Sequence, residues 1–588
     1  MSTPEGGRGG RSGDQRSDSL PENPEMGDSR PEEQKPLDSG SDAPPVQASK
    51  DEGSYVGRVA RGAGISTVGQ GTGRVVGFLT QAIVARTLGT AWFGIYALGM
   101  AVANFVNIIS QFGFDNGVVR YVARFRAQGD NERVRGAIIQ SVLIAFCISL
   151  VMATIVFFGA EFIATTLLNR DPRAAIIIRG FSFALPFFVF MSMLVWATQG
   201  FQTVTYATYV QQLIRPIAYF LLVVGVYVVV AVFLGGVSED GPPWTSIVGI
   251  AGAFAVSMMI GVVAGVYFLR RLYPSLFDRR VKPKFETKAL VSVSVPMFVQ
   301  RVTQYTNNWT GPLILTQFAS AGAVGIFQAA FRTATLATLV RYAFNGIFSP
   351  IISNLHSQGS MEDLKYLYKD VTRWTFTGAF ALFVVVVLLA EEALRAFGGE
   401  AFVAGWPALI ICSGAQLFST VVGPSPRMLA MTGNQNVVMT ASVIGAVTGI
   451  IGTVALSPVF GIVGAAIGVS AAITTENAIS LTMVRRRFGF WPFTPQYLKP
   501  FAAGVIGAGI AYAAKLGFSS LGMVPDGFVG VAATIVVTGT VFGLAYVALL
   551  LLFGLSATDR EFLGTFWQVA RRYLRRGDTD QANQEGTG

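Results

Sequence analysis

The chain has 588 residues, of which 52% are hydrophobic and only 13% charged, and its formal net charge at pH 7 is +10. At this length such a composition excludes a soluble multidomain protein, because too few polar residues remain to cover water-facing surfaces. Runs of about 20 mainly apolar residues, enough to cross some 30 Å of hydrocarbon as a helix, recur from near Gly64 to near Phe553. They predict an all-α integral membrane protein with about 14 transmembrane helices.

In chain order, residues 1–60 read as a disordered cytoplasmic tail. The first 52 hold twelve Asp or Glu against six Lys or Arg, with many Ser, Gly and Pro and no apolar core. No positive stretch leads into an apolar one near Met1, so a cleaved signal peptide is not expected. Six spans fill 61–270, a basic linker covers 271–288, and six more spans fill 289–484. A basic loop at 485–499 precedes two further spans in 500–555. Residues 556–576 interleave Phe562, Phe566 and Trp567 with Arg571, Arg572, Arg575 and Arg576, the pattern of an interfacial amphipathic helix on anionic headgroups, and 577–588 read as a second disordered tail. Cys147 and Cys412 both fall inside apolar runs and are expected as small core residues, so neither a disulfide nor a metal site is suggested. His356 is expected in solvent.

Basic residues set the expected orientation. With the N-terminus inside, the loops after the even-numbered spans and the C-terminal tail carry roughly 25 Lys and Arg against roughly four on the other side, which predicts cytoplasmic N- and C-termini in a cell membrane. The strongest of these loops, RRLYPSLFDRRVKPKFETK, is read as a topology anchor rather than a nucleic-acid site, because its charges flank spans.

An internal repeat organises the spans. FGIYALGM from Phe93 matches VGIFQAAF from Val324, and AQGDNERVR from Ala127 matches SQGSMEDLK from Ser357, at nearly the same offset. Six spans separate the copies, so the halves are parallel: two pseudo-symmetric six-helix lobes around a central cleft, with two extra C-terminal helices. Each half opens with a polar-striped span. At about 100° per residue Thr67, Gln70, Arg74 and Gln81 share one face of span 1, and Arg301, Gln304, Tyr305 and Asn308 share one face of span 7. Asn104, Asn107 and Gln111 in span 2, and Gln212, Arg215 and Tyr219 in span 5, add similar faces. In a bilayer such stripes belong in the bundle interior or a water-filled cavity.

The sign of the charge narrows the cargo. Arg74, Arg301 and Arg332 lie deep and Arg215 nearer a span end, whereas Glu476 is the only clear intramembrane carboxylate. Surplus guanidinium implies an anionic cargo, and the planar fork suits phosphate. Candidate cleft residues are therefore Arg74, Arg215, Arg301 and Arg332, with Gln70, Gln304, Tyr305 and Asn308. Arg341, nine residues beyond Arg332, is expected on the opposite face, snorkelling. Pro296 and Pro312 bracket the stripe of span 7 and are candidate hinges. No catalytic group, cofactor or metal site is indicated.

GRVVGFLTQAIVARTLGTAWFGIYAL, GFDNGVVRYVARFRAQGD, GIFQAAFR and SQGSMEDLK together resemble the oligosaccharide flippases of polysaccharide biosynthesis, within the multidrug/oligosaccharidyl-lipid/polysaccharide exporter superfamily, over roughly residues 60–490. The resemblance implies a two-lobed transporter that moves a polyprenyl-phosphate- or polyprenyl-diphosphate-linked glycan from the cytoplasmic to the outer leaflet by alternating access. It also implies partners among membrane lipids and the glycosyltransferases or polymerase of the same pathway. Peptidoglycan-precursor flippases are similar at GRVVGF but carry a further arginine where this chain has Thr80. A multidrug exporter of the same superfamily is the rival reading; it would want carboxylates in the cleft.

Overall fold

The computed structural model describes residues 51–554 apart from 168–173, 202, 234–243, 277, 279 and 521–526; side chains are described neither at 51–68, 244 and 528 nor at scattered positions in 288–310 and 342–350. The first lobe comprises α1 (Asp51–Gln111), α2 (Phe114–Ala127), α3 (Asn131–Phe158), the single turn α4 (Ala160–Phe162), α5 (Ala175–Gln199), α6 (Thr205–Thr208), α7 (Arg215–Phe233) and α8 (Trp244–Leu272). A π-helical stretch, Tyr209–Ile214, joins α6 to α7. The second lobe comprises α9 (Thr287–Phe318), α10 (Ala321–Ala334), α11 (Leu339–Ser357), α12 (Met361–Leu388), α13 (Ala390–Gly398), α14 (Trp406–Val421), α15 (Ser425–Met431) and α16 (Gln435–Phe488). A 3₁₀ turn, Thr335–Thr338, joins α10 to α11. Helices α17 (Leu498–Ser520) and α18 (Gly527–Leu552) follow, and no strand occurs among the described residues.

Eleven of these helices, among the described residues, are long and apolar enough to cross a membrane. Two of the eleven carry a break at a glycine with positive φ, Gly89 in α1 (φ 71°) and Gly461 in α16 (φ 53°). Only a residue without Cβ takes those angles cheaply, so each glycine is where one long helix becomes two. Helix α9 has 32 residues but falls outside that count because its polar stripe lowers its hydropathy. The expected tail boundary at 60 lies inside α1, since residues 51–60 are helical. Residues 1–50 and the segments 556–576 and 577–588 fall outside the described residues.

Lipid tails are as apolar as leucine, so helices here are held by close approach rather than by expulsion from water. The two halves of α16 lie against one another through Gly445, Gly449, Gly452 and Gly468; a Cβ on Gly449 would come within 2.7 Å of Ala472 Cβ. Ser442 donates to Glu476 across this hairpin at 2.8 Å. Glu476 is thus a tie between the two arms of α16. Helix α17 packs on α12 with Gly504 against the Phe380 ring, and Lys515 bonds Glu392 at 2.7 Å and the Leu388 carbonyl at 3.0 Å, docking the appended pair onto the second lobe.

The lobes meet through the repeat itself. A Cβ on Gly94 would overlap the Ala321 carbonyl, and one on Gly325 would overlap the Thr90 carbonyl. These are equivalent residues of the two copies, and the contact is reciprocal, as a two-fold axis between the helices requires. Around it, Phe93 packs edge-on to Phe397 and Phe402 at 5.7 and 5.9 Å. Arg86 donates to the carbonyls of Ala396 (2.7 and 3.0 Å) and Arg395 (3.1 Å), placing its charge at the C-terminal end of α13. These contacts join the two lobes.

Replacing Gly325 by alanine forces a methyl into the Thr90 carbonyl and is expected to cost about 1–3 kcal/mol. Gly322→Ala, whose Cβ would sit 3.4 Å from Thr90 Oγ1, is expected to change stability by less than about 0.5 kcal/mol. Thermal unfolding of the purified variants checks both.

Candidate functional site: a cationic cavity between the lobes

The stretch GQGTGRVVGF of α1 shows how the sequence builds this site. Pro216, at the start of α7, has no N–H to give the Gln212 carbonyl, and the chain ahead of it widens into the π-helical stretch. The Gln212 carbonyl instead faces Gly73, where a Cβ would lie only 2.6 Å from the oxygen. Gly69, one turn away, leaves room for the Thr208 side-chain methyl. Two glycines thus press α1 onto the loosened helix, and Arg74 borders the space beside them.

That space is a cavity of about 440 Å³, room for roughly 15 waters. Helix α1 contributes Arg74, Gln81, Tyr96 and Asn104; the π-helical stretch and α7 contribute Gln211, Gln212, Arg215 and Tyr219. Ser192 and Phe254 complete the wall of the first lobe, and Arg332, Thr335 and Leu339 face them from the second. The 3₁₀ turn after α10 interrupts the span at Thr335, so Arg332 ends one helix and Leu339 begins the next.

Among the described residues, three arginines line the cavity and no carboxylate does. Neither Arg215 nor Arg332 forms an ion pair among the described residues. Arg332 lies over the Trp309 ring at 5.6 Å, and its Nε is buried without a hydrogen-bond partner. Beside the arginines, Gln81 Nε2 donates to the Tyr96 hydroxyl at 3.2 Å, and the Tyr96 and Tyr219 hydroxyls share a bond of 3.1 Å. Asn104 is tied to its own helix through the Met100 carbonyl at 2.7 Å. A guanidinium in hydrocarbon costs about 2.5–3.5 kcal/mol on insertion scales, so this arrangement suits an anion that arrives from outside the chain.

The structure brings together Arg74, Arg215 and Arg332 but not every candidate. Arg301 stands outside the cavity, ion-paired with Asp115 and over the Trp196 ring at 5.1 Å. The repeat makes Arg74 and Arg301 near-equivalent in sequence but not in surroundings, and Glu476 is not the only acid within the bundle: Asp115 at the start of α2, 1% exposed, pairs with Arg301. Tyr305 also lies outside, buried, with its hydroxyl donating to the Ala101 carbonyl at 2.7 Å. Gln70 does not border the cavity, and the side chains of Gln304, Asn308 and Pro296 lie outside the described residues. Helix α9 runs unbroken past both prolines, with Pro312 buried. Arg341 does not snorkel; it donates to Ser419, which is buried on α14. Cys147 is exposed on α3, whereas Cys412 is buried, and His356 is half-buried with Phe488 edge-on at 6.3 Å.

Sequence reasoning missed Tyr96 and Asp115. Tyr96 sits in the repeat marker where the second copy has Phe327, and that asymmetry was its visible signal. Asp115 follows the polar face of span 2 within GFDNG and carries no local signal of the arginine it meets.

The fold and cavity together define a two-lobed, multi-pass helical membrane protein with a cationic cavity between its lobes, the architecture of a transporter. The chain belongs to the polysaccharide biosynthesis protein family, whose pattern matches residues 59–356. Stage V sporulation protein B of Bacillus subtilis is 23% identical over 465 residues, covering 75% of this chain and 86% of its own length. The probable low-salt glycan biosynthesis flippase Agl15 of Haloferax volcanii is 22% identical over 231 residues, 39% of this chain and 48% of its own. Among solved structures, the lipid II flippase MurJ in an inward closed conformation superposes with a TM-score of 0.60 at 14% identity, covering 82% of this chain and 97% of its own. That likeness shows the shared fold.

Unpaired cations in a bundle are a stability cost as well as a binding device. Arg215→Met is expected to raise the stability of the ligand-free protein by up to about 2 kcal/mol. Lys515→Met, which strands Glu392, is expected to lower it by about 3 kcal/mol. Thermal unfolding without added ligand compares the two.

Proposed function

We propose that this protein is a flippase that carries an oligosaccharide linked to a polyprenyl phosphate or diphosphate from the cytoplasmic to the outer leaflet by alternating access. One observation carries the reading: Arg74, Arg215 and Arg332 converge on a cavity between the lobes that no carboxylate lines among the described residues. Guanidinium forks bind phosphate oxygens in pairs, and their charge does not titrate away. Gln81, Gln211, Gln212 and the two tyrosines supply the mixture of amides, hydroxyls and rings that sugar hydroxyls and apolar sugar faces need. The lipid tail would stay in the bilayer while the headgroup crosses.

Direction follows from the basic loops, which hold their face of the bundle in the cytoplasm, where lipid-linked glycans are assembled. The family supports this reading, as do a relative named for glycan biosynthesis and a structural neighbour named for flipping lipid II. An exporter of cationic drugs is disfavoured, because it would need the negative groups this lining lacks. The enzymes that build and polymerise the glycan are the expected functional partners.

Deleting the gene is expected to deplete a surface glycan and accumulate its lipid-linked precursor in the inner leaflet. Charge-assisted hydrogen bonds contribute about 1.5–3 kcal/mol each. Arg215→Gln with Arg332→Gln is therefore expected to weaken binding of a polyprenyl diphosphate by at least ~100-fold. Full surface glycan from a triple Arg74→Gln, Arg215→Gln, Arg332→Gln variant at normal membrane levels would sink the proposal.

A further inference from the structure

The Asp115–Arg301 pair lies outside the cavity, yet it joins the two lobes. Asp115 opens α2 in the first lobe and Arg301 belongs to α9 in the second. Asn104 borders the cavity, and Asp115 follows eleven residues later, so the pair sits on the order of 15 Å from Asn104 toward the end that carries the basic loops.

The lobes are shut against each other there. A Cβ on Gly113 would overlap the Ser294 carbonyl, and one on Gly117 would lie 2.8 Å from Ser294 Oγ and 3.1 Å from the Leu290 side chain. Trp196 covers the guanidinium. At this end α2 therefore packs directly on α9, as Gly94 packs on Ala321 and Gly325 in the other inter-lobe contact.

What marks the pair as exchangeable is its lack of reinforcement. A buried ion pair is secure when further hydrogen bonds satisfy the remaining lone pairs. Apart from the contact of Oδ2 with Arg301, neither Asp115 carboxylate oxygen has a hydrogen-bond partner among the described residues. Arg301 keeps 32% of its side chain exposed, so part of its fork stays reachable by a second acceptor. A phosphate group offers that fork two oxygens, and Asp115 regains water once the lobes part.

We propose that Asp115 and Arg301 form a cargo-released latch at the cytoplasmic mouth. The incoming phosphate takes Arg301 from Asp115, the mouth opens toward the three-arginine cavity, and the pair re-forms once the phosphate has moved inward. This rests on the phosphate-cargo reading above and adds the point at which the chain first meets its cargo. It also satisfies the thermodynamic requirement for a ligand-driven change: Arg301 is fully available to phosphate only after Asp115 lets go, so the cargo binds the open form better and populates it.

The test uses the full chain in lipid nanodiscs, with Cys147→Ser and Cys412→Ala, and spin labels at Gln128→Cys and Gln358→Cys. These two exposed sites mark the ends of α2 and α11, one in each lobe. Pulsed electron resonance reads the label separation, and farnesyl diphosphate is the probe. Without the probe a single short separation is expected, and the probe should add a longer one. Asp115→Asn should raise the long-separation fraction at least threefold with no probe present. The exchange Asp115→Arg with Arg301→Asp should restore the short separation and abolish the response to the probe. If the exchanged protein fails to fold, Arg301→Lys, which keeps the charge but loses the fork, should give an intermediate fraction. Wild-type separations in Asp115→Asn, with and without the probe, would overturn the latch. Calorimetry on the same samples separates the two ideas. A probe that binds through Arg215 and Arg332 without changing the separation in the parent protein ends the latch and leaves the cavity reading standing, whereas a probe that does not bind ends both.

Discussion

Backbone-to-backbone approach between Gly94 and Gly325 is the constraint on which the rest of the architecture depends. Helices in a bilayer gain nothing from leaving water, so the relation between two lobes must come from contacts too close for any side chain. Gly94 touches the turn of Ala321 and Gly325 that of Thr90, each copy of the repeat using on its partner the surface it presents itself. Arg86 on the end of α13 and the Phe93, Phe397 and Phe402 cluster then brace that crossing. With the lobes in contact there, the space beside α1, α7 and the 3₁₀ turn after α10 is bordered by both lobes.

The same device, glycine facing carbonyl, shapes the cavity wall. Pro216 removes one hydrogen of the helix ladder and Gly73 makes room for the carbonyl that loses its partner. The helix is locally weaker for it, and in exchange Gln211, Gln212, Arg215 and Tyr219 all reach one cavity.

Charge is handled in three ways in this molecule. Lys515 is neutralised by Glu392 and holds the appended helices in place. Arg301 is neutralised by Asp115 across the lobes, with little else supporting the carboxylate. Arg215 and Arg332 have no acidic partner among the described residues, and they face the cavity. The gradation from reinforced pair to exchangeable pair to open cation runs from scaffold toward site, and the proposed path for an anionic headgroup follows the last two.

The sequence by itself determined the membrane-embedded helical class, the two-fold repeat and the excess of intramembrane arginine. Each is written in local composition or in residue spacing, which survive without knowledge of neighbours. Arg74, Arg215 and Arg332 were legible as cavity candidates for that reason. Which arginine finds an acid was decided only by the tertiary structure, because Asp115 and Arg301 are far apart in the chain and meet only when α2 packs on α9. Tyr96 was likewise hidden, its hydroxyl given a purpose by Gln81 and Tyr219 from another turn and another helix. Periodicity states the face on which a polar group lies; what stands opposite that face is fixed by packing, and packing here is set by glycines whose role shows only once the backbones they admit are in place.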